Sequence, residues 1–422
     1  MTNLAINQTR LLEELRTLAT FSAPPAEGAV KPGDTAVTRI VFTERDREAR
    51  AWLTSIAQAA GLLINSDAIG NTFFRWQGSE PNLPAIATGS HIDAIPNAGM
   101  YDGTVGVLGG LEAIRALQAS GFAPRRSIEL ILFTSEEPTR FGIGCLGSRV
   151  MSGTLSADSA AKLRDKDDQT IDQVRSAAGF SGELGSARLS PAHYAHFVEL
   201  HIEQGPILDR ERLDIGIVTA IAAPASSRIT IHGEGGHAGA MLMPIRKDAL
   251  AAASEVILAV EAAALATGAI DTVATVGMCD VFPGAVNSVP SRVRLSLDVR
   301  DIDEARRDRV LNAIQQACED TVARRRVILT TEVLNADAPA TCSPEILDAI
   351  EAACLSEGAT SQRMVSRAYH DSLFMARICP IAMIFIPCRG GVSHRPDEYS
   401  TPESIALGTR ILARTLAKLS SC

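Results

Sequence analysis

Four short, largely apolar runs, each ending in histidine or acidic side chains, constrain this chain more than any other feature of its sequence. The runs cover residues 84–88, 127–134, 196–205 and 381–387. Helical patterns alternate with them, and strand–helix–strand order with apolar strands is typical of a sheet covered on both faces. The sequence therefore predicts an α/β fold with a mixed, largely parallel sheet.

The pattern changes in the middle of the chain, where the strands become half-exposed. The segment RVRLSLDVRD (292–301) alternates apolar and polar residues with strict period two, as a strand with one buried face does. The β-α-β-β-α-β order of this region resembles a ferredoxin-like α+β sandwich. At 422 residues the chain is too long for one hydrophobic core. We therefore expect a discontinuous domain over 1–215 and 335–422, with a smaller domain inserted over 216–334.

The overall charge and the cysteine usage exclude several classes of protein. A formal net charge of −9 argues against a surface for nucleic acid or an anionic membrane, because both need a basic excess. No apolar run is long enough to cross a bilayer, and the first residues lack the basic start and apolar core of a secretory signal. The eight cysteines are scattered without a CxxC pair, as in reducing compartments. We expect a cytoplasmic protein.

The polar residues at the ends of the four apolar runs have side chains that bind metal ions. They are His91, Asp93 and Asp102 after the first run, Glu136 and Glu137 after the second, His201 in the third and His394 after the fourth. Ligands of open α/β sheets bind at the carboxyl ends of the strands. One such strand end usually meets solvent only, but four together are not expected by chance. We interpret the cluster as a metal site.

These residue types suit two divalent ions, which need a bridging carboxylate, neutral imidazoles, a further carboxylate and an open position for water. Asp102 is the natural bridge. His91 and His201 would complete one ion, and Glu137 with His394 the other. Because oxygen and imidazole ligands fit either manganese or zinc, the sequence leaves the metal open.

Two further carboxylates are candidates for roles beside the ions. Asp93 lies two residues from His91, so in an extended segment its carboxylate accepts the second ring N–H and fixes the tautomer. Adjacent side chains diverge, which leaves Glu136 to act as general base and then as acid to the leaving nitrogen. The sequence thus predicts a hydrolytic centre in which the ions lower the pKa of a water molecule and polarise a carbonyl group.

Three residues of the inserted segment are candidate substrate contacts. Glycines flank His237 in GEGGHAGA, and they let a backbone approach a ligand closely. Asn287 is a neutral donor, and Arg300 is suited to hold a carboxylate bidentately. For Arg300, a surface salt bridge with Asp298 or Asp301 is an equally good interpretation.

Together these motifs resemble the M20 metallopeptidase-like amidohydrolases, in the branch of N-carbamoyl-L-amino-acid hydrolases, allantoate amidohydrolases and ureidoglycolate amidohydrolases. The resemblance covers almost the whole chain. It rests on GSHIDAIPNAGMYDGTVGVLGGLEA, FTSEEPTRFGIGCLGSR, ELHIEQGPIL, GGHAGAMLMP and PGAVNSVPS, which occur in the family's order. Peptidases of the wider family place a carboxylate where this chain has His201, which favours the ureido-cleaving branch.

The resemblance implies a reaction and an assembly. The segments TAIAAPAS, DVRDIDEARR, SRAYHDSLFMARI and MIFIPCRGGVSH are most similar to members that cleave ureidoglycolate to glyoxylate, ammonia and carbon dioxide in purine catabolism. Allantoate or an N-carbamoyl-L-amino acid, hydrolysed by the same mechanism, is the alternative substrate. Members of the branch use manganese, some also zinc, and form homodimers through the inserted lid domain.

The resemblance also assigns roles to residues. It implies the metal ligands given above, with Glu136 as base, and it adds Gln204 as a substrate contact. In this reading Arg300 holds the substrate carboxylate, while His237 and Asn287 donate to the polarised carbonyl oxygen, so His237 counts as catalytic. The last two candidates, for reading the small hydroxyl-bearing substrate, are Tyr369 and His370.

Two other classes of protein are alternatives. A protein that binds a ligand or metal without turnover would be marked by loss of the base or of a metal ligand, and all of these are present. A cysteine-nucleophile amidohydrolase would need a Cys paired with a His and an acidic orienter. Cys145 and Cys388 lie near the site segments, and insensitivity to a strong chelator would favour this class.

Overall fold

The computed structural model of the chain describes residues 4–25, 30–31 and 33–422. These residues form two compact units. Unit 1 contains the described residues of Met1–Thr219, Thr341–Met364 and His370–Cys422, and unit 2 contains Ala220–Ala340 and Val365–Tyr369. Unit 2 therefore interrupts unit 1 in the sequence.

Strands and helices are numbered in chain order. The strands are β1 (Val37–Arg39), β2 (Leu63–Ser66), β3 (Thr72–Trp76), β4 (Ala85–Ser90), β5 (Ala94–Ala98), β6 (Ile128–Leu132), β7 (Tyr194–Ile202), β8 (Ile215–Ile221), β9 (Ala223–His232), β10 (Gly236–His237), β11 (Val273–Phe282), β12 (Ser288–Val289), β13 (Arg292–Asp301), β14 (Ile328–Ala336), β15 (Ala340–Thr341), β16 (Ser361–Ser366) and β17 (Ile381–Ile386). The α-helices are α1 (Gln8–Thr20), α2 (Glu44–Ala59), α3 (Thr104–Ala119), α4 (Leu146–Ser152), α5 (Ala157–Ala161), α6 (Ile171–Ala177), α7 (Ile207–Glu211), α8 (Ala249–Leu265), α9 (Glu304–Arg325), α10 (Pro344–Glu357), α11 (Asp371–Met375) and α12 (Pro402–Ser420).

Four parallel strands form the middle of the large sheet of unit 1. The sheet order is β15-β8-β17-β7-β4-β6-β3-β2, with β16 beside β8. The pairs β17–β7, β7–β4 and β4–β6 are parallel, whereas β8, β3 and β2 pair antiparallel. The parallel strands are the four apolar runs of the sequence, so their carboxyl ends lie at one edge. The α/β class with a mixed sheet is confirmed, and parallel pairing is confined to its middle.

Helices cover these central strands, which explains why the strands are apolar throughout. Every residue of β4, β6 and β17 is buried. Helix α3 packs on β4, β6 and β7, and α12 packs on β17, β7 and β4. Helix α12 is held at its start by Thr401, whose hydroxyl accepts from the backbone N–H of Ser404. No helix among the described residues is both apolar enough and long enough to traverse a membrane.

Unit 2 consists of an antiparallel sheet with two helices on one face. Its element order β9-α8-β11-β13-α9-β14 is β-α-β-β-α-β, and the sheet order is β11-β13-β9-β14, which is the ferredoxin-like arrangement. Val293, Leu295, Leu297 and Val299 of β13 are buried in one core with residues of α8 and α9. The period-two pattern of this segment therefore arises because the two helices cover only one face of the sheet. Strands β10 and β12, which are distant in sequence, pair antiparallel in a separate two-stranded sheet.

Candidate metal centre

The loop after β4 buries His91 and fixes its ring through the main chain. The Nδ1 atom of His91 lies 3.0 Å from the carbonyl oxygen of Asp93, which leaves Nε2 directed away from that contact. We predicted that the Asp93 carboxylate would take the ring N–H, but the nearer carboxylate oxygen is 3.7 Å away. That carboxylate instead accepts the backbone N–H groups of Glu136 (3.2 Å) and Glu137 (3.0 Å). The prediction was wrong because the backbone N–H groups of Glu136 and Glu137 compete with the imidazole for the Asp93 carboxylate. The His91 ring therefore contacts the Asp93 carbonyl oxygen instead.

Asp102 stands at the start of α3 and presents its two oxygens to different imidazoles. Its Oδ1 lies 3.6 Å from Nε2 of His91 and 3.2 Å from Nε2 of His201. Its Oδ2 lies 3.1 Å from Nε2 of His394. The following residue is Gly103, with φ of +66°, and a Cβ there would overlap the His91 ring. Only glycine allows this close approach of the backbone to the imidazole.

His201 and His394 come from the ends of two neighbouring strands. His201 is buried in β7, and its Nδ1 lies 2.8 Å from the carbonyl oxygen of Ile202. His394 follows β17 in a backbone conformation with φ of +59°, and its side chain is 48% exposed. Its Nε2 also lies 3.3 Å from Oε1 of Glu137. The four strand ends therefore bring their polar side chains together.

Three groups of side chains in the described part of the chain are spaced closely enough to hold a cation, and two of them contain Asp102. One is His91, Asp102 and His201, and the other is Asp102, Glu137 and His394. A third group, Glu199, His201 and His370, reuses His201. A carboxylate with one oxygen toward each group suits a pair of divalent ions, as do imidazole and carboxylate donors.

The electrostatics of the cluster favour positive charge at the imidazoles. Burial opposes charge on His91 and His201, but the carboxylates around them outweigh it and raise the pKa of each. Hydrogen bonds with Asp102 and Glu137 raise the pKa of His394 to about 11. Burial opposes ionisation of Asp102, yet the three imidazoles hold its pKa well below the usual range. A site that attracts positive charge in this way fits metal cations, which compete with protons for the same atoms.

Glu136 lies beside the two groups without belonging to either. Its Oε2 is 3.8 Å from Nε2 of His91, and its Oε1 accepts a hydrogen bond from the Cys145 thiol at 3.4 Å. Burial raises the pKa of Glu136 well above its ordinary value, Glu137 and Asp371 add to the rise, and His91 opposes it. The two adjacent glutamates thus diverge, one toward His394 and the other toward His91.

Gln204 and His370 also lie at this edge of unit 1. The Gln204 amide donates to Oδ2 of Asp102 at 2.8 Å and to the Ser393 hydroxyl at 3.2 Å. The His370 ring is buried, and its centroid lies 4.5 Å from that of His201. Burial, with the nearby charge of His201, lowers the pKa of His370 well below its ordinary value.

The cysteines near the site are unsuited to nucleophilic attack. Burial raises the pKa of Cys145 well above its ordinary value and that of Cys388 to about 12. A cysteine nucleophile reacts as the thiolate, which these environments disfavour. The cysteine-nucleophile alternative therefore loses its two candidate residues.

The remaining predicted residues, His237, Asn287, Arg300 and Tyr369, belong to unit 2. His237 is exposed in β10. The backbone N–H of Ala238, the next residue, donates to the Asn287 carbonyl at 2.9 Å. The pairing of β10 with β12 thus brings these two candidates together. Arg300 binds Asp298 at 2.8 Å, the salt bridge that the sequence offered as an alternative, and its guanidinium lies 6.0 Å from the centre of the Tyr369 ring.

Sequence reasoning missed three buried charged groups around the cluster. Glu398 accepts the backbone N–H of Asp102 at 3.1 Å, and Glu199 accepts hydrogen bonds from Ser90 (2.8 Å) and Ser372. Arg39 donates to the Ile92 carbonyl at 2.6 Å. Period-two spacing from His201 could have pointed to Glu199, but nothing local marks the other two.

Comparison with known proteins identifies the class to which this fold and cluster belong. Residues 87–418 match Peptidase family M20/M25/M40, and the chain belongs to that family. It is 49% identical over 426 residues to the ureidoglycolate hydrolase of Arabidopsis thaliana, across 99% of this chain and 88% of the relative. It is 39% identical over 415 residues to the N-carbamoyl-L-amino acid amidohydrolase of Geobacillus stearothermophilus, across 98% of this chain and 99% of the relative.

The fold also matches solved structures at high similarity. Crystal structures of AtUAH in complex with (S)-hydroxyglycine and with glyoxylate each superpose with a TM-score of 0.87. Sequence identity is 48% in both, and the match covers 99% of this chain and 98% of the other. The resemblance found in the sequence is confirmed at the level of the family.

Proposed function

We propose that the protein hydrolyses the ureido C–N bond of ureidoglycolate, a reaction of purine catabolism. Attack of water on the ureido carbonyl releases carbon dioxide and one ammonia and leaves hydroxyglycine, which eliminates a second ammonia to give glyoxylate. Both hydroxyglycine and glyoxylate are bound by AtUAH, to which this chain is 48% identical. Identity to the N-carbamoyl-L-amino acid amidohydrolase is lower, at 39%. Allantoate or an N-carbamoyl-L-amino acid is the alternative substrate.

The observation that carries this proposal is the pair of ligand groups that share Asp102, with Glu136 beside them. We propose that His91, Asp102 and His201 hold one divalent ion and that Asp102, Glu137 and His394 hold the other. Manganese is the first choice, with zinc as the alternative. When bound, such ions lower the pKa of water and polarise the carbonyl.

Glu136 is the proposed general base and acid. Its carboxylate lies at the edge of both groups, where it can take a proton from the attacking water and return it to the leaving nitrogen. The Asp93 carboxylate anchors the backbone of Glu136 and Glu137. This anchoring fixes the directions in which the two side chains diverge, so Asp93 acts by positioning.

The substrate contacts are proposals of the same kind. The buried Oε1 of Gln204 has no hydrogen-bond partner within the described residues, so an acceptor is available for a substrate N–H. We propose that His237 and Asn287 donate to the carbonyl oxygen and that Arg300 releases Asp298 to hold the carboxylate. Tyr369 and His370 are the proposed specificity residues.

We also propose that unit 2 acts as the lid domain and carries the interface of a homodimer. Apolar side chains exposed on this unit, such as Leu258, Leu265 and Ile270, support a role in association. The sequence predicted 216–334 for the lid and 1–215 with 335–422 for the catalytic domain; unit 2, the proposed lid, contains Ala220–Ala340 and Val365–Tyr369. Sedimentation of the wild type against Leu258→Glu tests the assembly.

Ammonia release from ureidoglycolate, allantoate and N-carbamoyl-L-amino acids, measured side by side, tests the substrate. We expect the highest kcat/KM on ureidoglycolate. Glu136→Gln should bind both metals yet lose about 10²–10⁴-fold in kcat, the usual contribution of a general base. The matched control is Glu80→Gln, since the Glu80 carboxylate is half exposed and pairs with Arg125 away from the cluster, so the change should leave kcat alone. A Glu136→Gln variant with near-normal kcat would contradict the base assignment.

A further inference from the structure

One buried carboxylate, Glu398, belongs to neither ligand group and yet contacts the residue that both share. Its side chain lies in the loop that also carries His394, and the residue is 4% exposed. Its Oε1 accepts the backbone N–H of Tyr101 at 2.9 Å and that of Asp102 at 3.1 Å. These bonds hold the main chain of Asp102 at the start of α3.

Ser393 connects the two carboxylates through its hydroxyl group. The Ser393 oxygen lies 2.9 Å from Oε2 of Glu398 and 3.0 Å from Oδ2 of Asp102. It also accepts the Gln204 amide at 3.2 Å. Because a hydroxyl has one proton to donate, Ser393 serves one carboxylate at a time. Glu398 thereby contacts Asp102 at its backbone directly and at its side chain through Ser393.

The position of the Glu398 carboxyl is set by a close backbone contact. Gly99 packs against it so tightly that an added Cβ would overlap the Glu398 side chain from Cβ to the carboxyl group. The backbone of Gly99 does not have a positive φ, so alanine is allowed there by conformation, and the nearest atoms that its Cβ would meet all belong to Glu398. Gly99→Ala therefore displaces Glu398 without removing it.

We propose that Glu398, together with Ser393, is a positioning residue that keeps Asp102 in the orientation in which its two oxygens face different imidazoles. This inference rests on the proposed role of Asp102 as the ligand shared by two ions. Ser393 touches Oδ2, the oxygen that faces His394. Loss of Glu398 should therefore weaken binding of the ion held by Glu137 and His394 more than binding of the ion held by His91 and His201.

The test is a calorimetric titration of the metal-free, full-length protein with Mn²⁺, combined with electron paramagnetic resonance of the loaded protein. We expect Glu398→Ala to weaken one of the two Mn²⁺ affinities by about 10–100-fold, as loss of a group that orients a ligand does. The spectroscopic signature of two exchange-coupled Mn²⁺ ions should fade with it. Gly99→Ala should reproduce both changes.

The conservative variant Glu398→Gln separates positioning from fold. Its amide oxygen can still accept both backbone N–H groups, and its NH₂ can donate to Ser393, which frees the Ser393 proton for Asp102. We expect this variant to restore the second affinity and the coupled signal. Gly185→Ala is the control for glycine substitution, since a Cβ there meets only Ala157 at 3.8 Å.

Three results would overturn the proposal: unchanged affinities in Glu398→Ala, equal loss of both ions, or a Gln variant no better than Ala. A failure of the proposed function has a different signature. In that case the wild type itself would bind fewer than two Mn²⁺ ions, or would bind two and release no ammonia from the ureido substrates. The titration needs no substrate, so the two failures are distinguishable.

Discussion

Arg39 offers a stringent test of how the loop of the candidate metal site is supported, because the residue is 1% exposed and its hydrogen-bond partners among the described residues are not carboxylates. It donates instead to three carbonyl groups, those of Ile92 (2.6 Å), Leu18 (2.8 Å) and Phe21 (2.9 Å). Burial lowers the pKa of Arg39 to about 10, so the group is charged at neutral pH. Arg39 thereby joins the end of α1 to Ile92, which lies between His91 and Asp93.

Arg39→Met keeps most of the apolar stem and removes all three donors. Each buried carbonyl left without a partner costs about 1–3 kcal/mol, which gives about 3–9 kcal/mol for three. The midpoint of that range is about 6 kcal/mol, and relief from burying a charge offsets part of it. We therefore expect unit 1 to lose about 3–5 kcal/mol of its free energy of unfolding. Weaker metal binding should accompany it, because Ile92 separates His91 from Asp93.

Denaturant unfolding of the metal-free protein, followed by tryptophan fluorescence, measures this loss. Both tryptophans, Trp52 in α2 and Trp76 in β3, belong to unit 1, so the signal reports that unit alone. Arg45→Met is the control, since Arg45 is exposed and forms a surface salt bridge with Glu48, and we expect no measurable change. If Arg39→Met unfolds within about 1 kcal/mol of the wild type, the three carbonyls find other donors and the reasoning fails.

Two further predictions concern the ligands themselves. Gly103→Ala should weaken Mn²⁺ binding at least about tenfold in calorimetry, because the new Cβ overlaps the His91 ring and the backbone has φ of +66°; unchanged affinity would show that the loop can relax. Removal of metal with a strong chelator should abolish ammonia release, and added Mn²⁺ should restore it. Activity that survives chelation would contradict a metal-dependent mechanism.

The parts of the molecule that the sequence predicted are those with continuous local signals. The four apolar runs became the four parallel strands because strands buried on both faces require apolar residues at every position, and every residue of β4, β6 and β17 is buried. Their bounds shifted by a few residues: the run at 84–88 is β4 at Ala85–Ser90, and that at 196–205 is β7 at Tyr194–Ile202. The strand ends could be predicted because parallel strands end at a common edge.

The parts that could not be predicted depend on contacts distant in sequence. Glu398 is held by backbone N–H groups almost 300 positions earlier, and no periodic pattern marks it. Arg39 lies in a three-residue strand and acts on carbonyls of two separate segments. The error at Asp93 has the same origin. Sequence spacing placed its side chain near His91. The Asp93 carboxylate instead binds the backbone N–H groups of Glu136 and Glu137, which lie in the loop after β6.

Backbone strain accompanies the candidate ligands of this site. Non-glycine residues with positive φ follow or end the central strands: Ser135 (+55°) precedes the two glutamates, Gln204 (+55°) follows β7, and His394 (+59°) is a candidate ligand. Each such conformation costs about 1–2 kcal/mol relative to ordinary backbone. The strain persists because the turns are over-determined by other contacts, such as the Asp93 carboxylate that binds both N–H groups after Ser135.

This arrangement explains why the cluster can be both tight and open. Sharp turns directly after the strands keep the side chains at the edge of a rigid sheet, where loops of ordinary conformation would carry them outward. Buried carboxylates hold those turns by accepting their backbone N–H groups: Asp93 binds those of the two glutamates, and Glu398 binds that of Asp102. Among the candidate ligands of the described groups, only His394 is exposed, at 48%. The loop after β17 therefore carries both a buried carboxylate, Glu398, and a solvent-facing imidazole, His394. The groups that make the site rigid do not need to contact the substrate. We therefore expect substitutions of Asp93 and Glu398 to lower metal affinity more than they lower kcat of the metal-loaded protein.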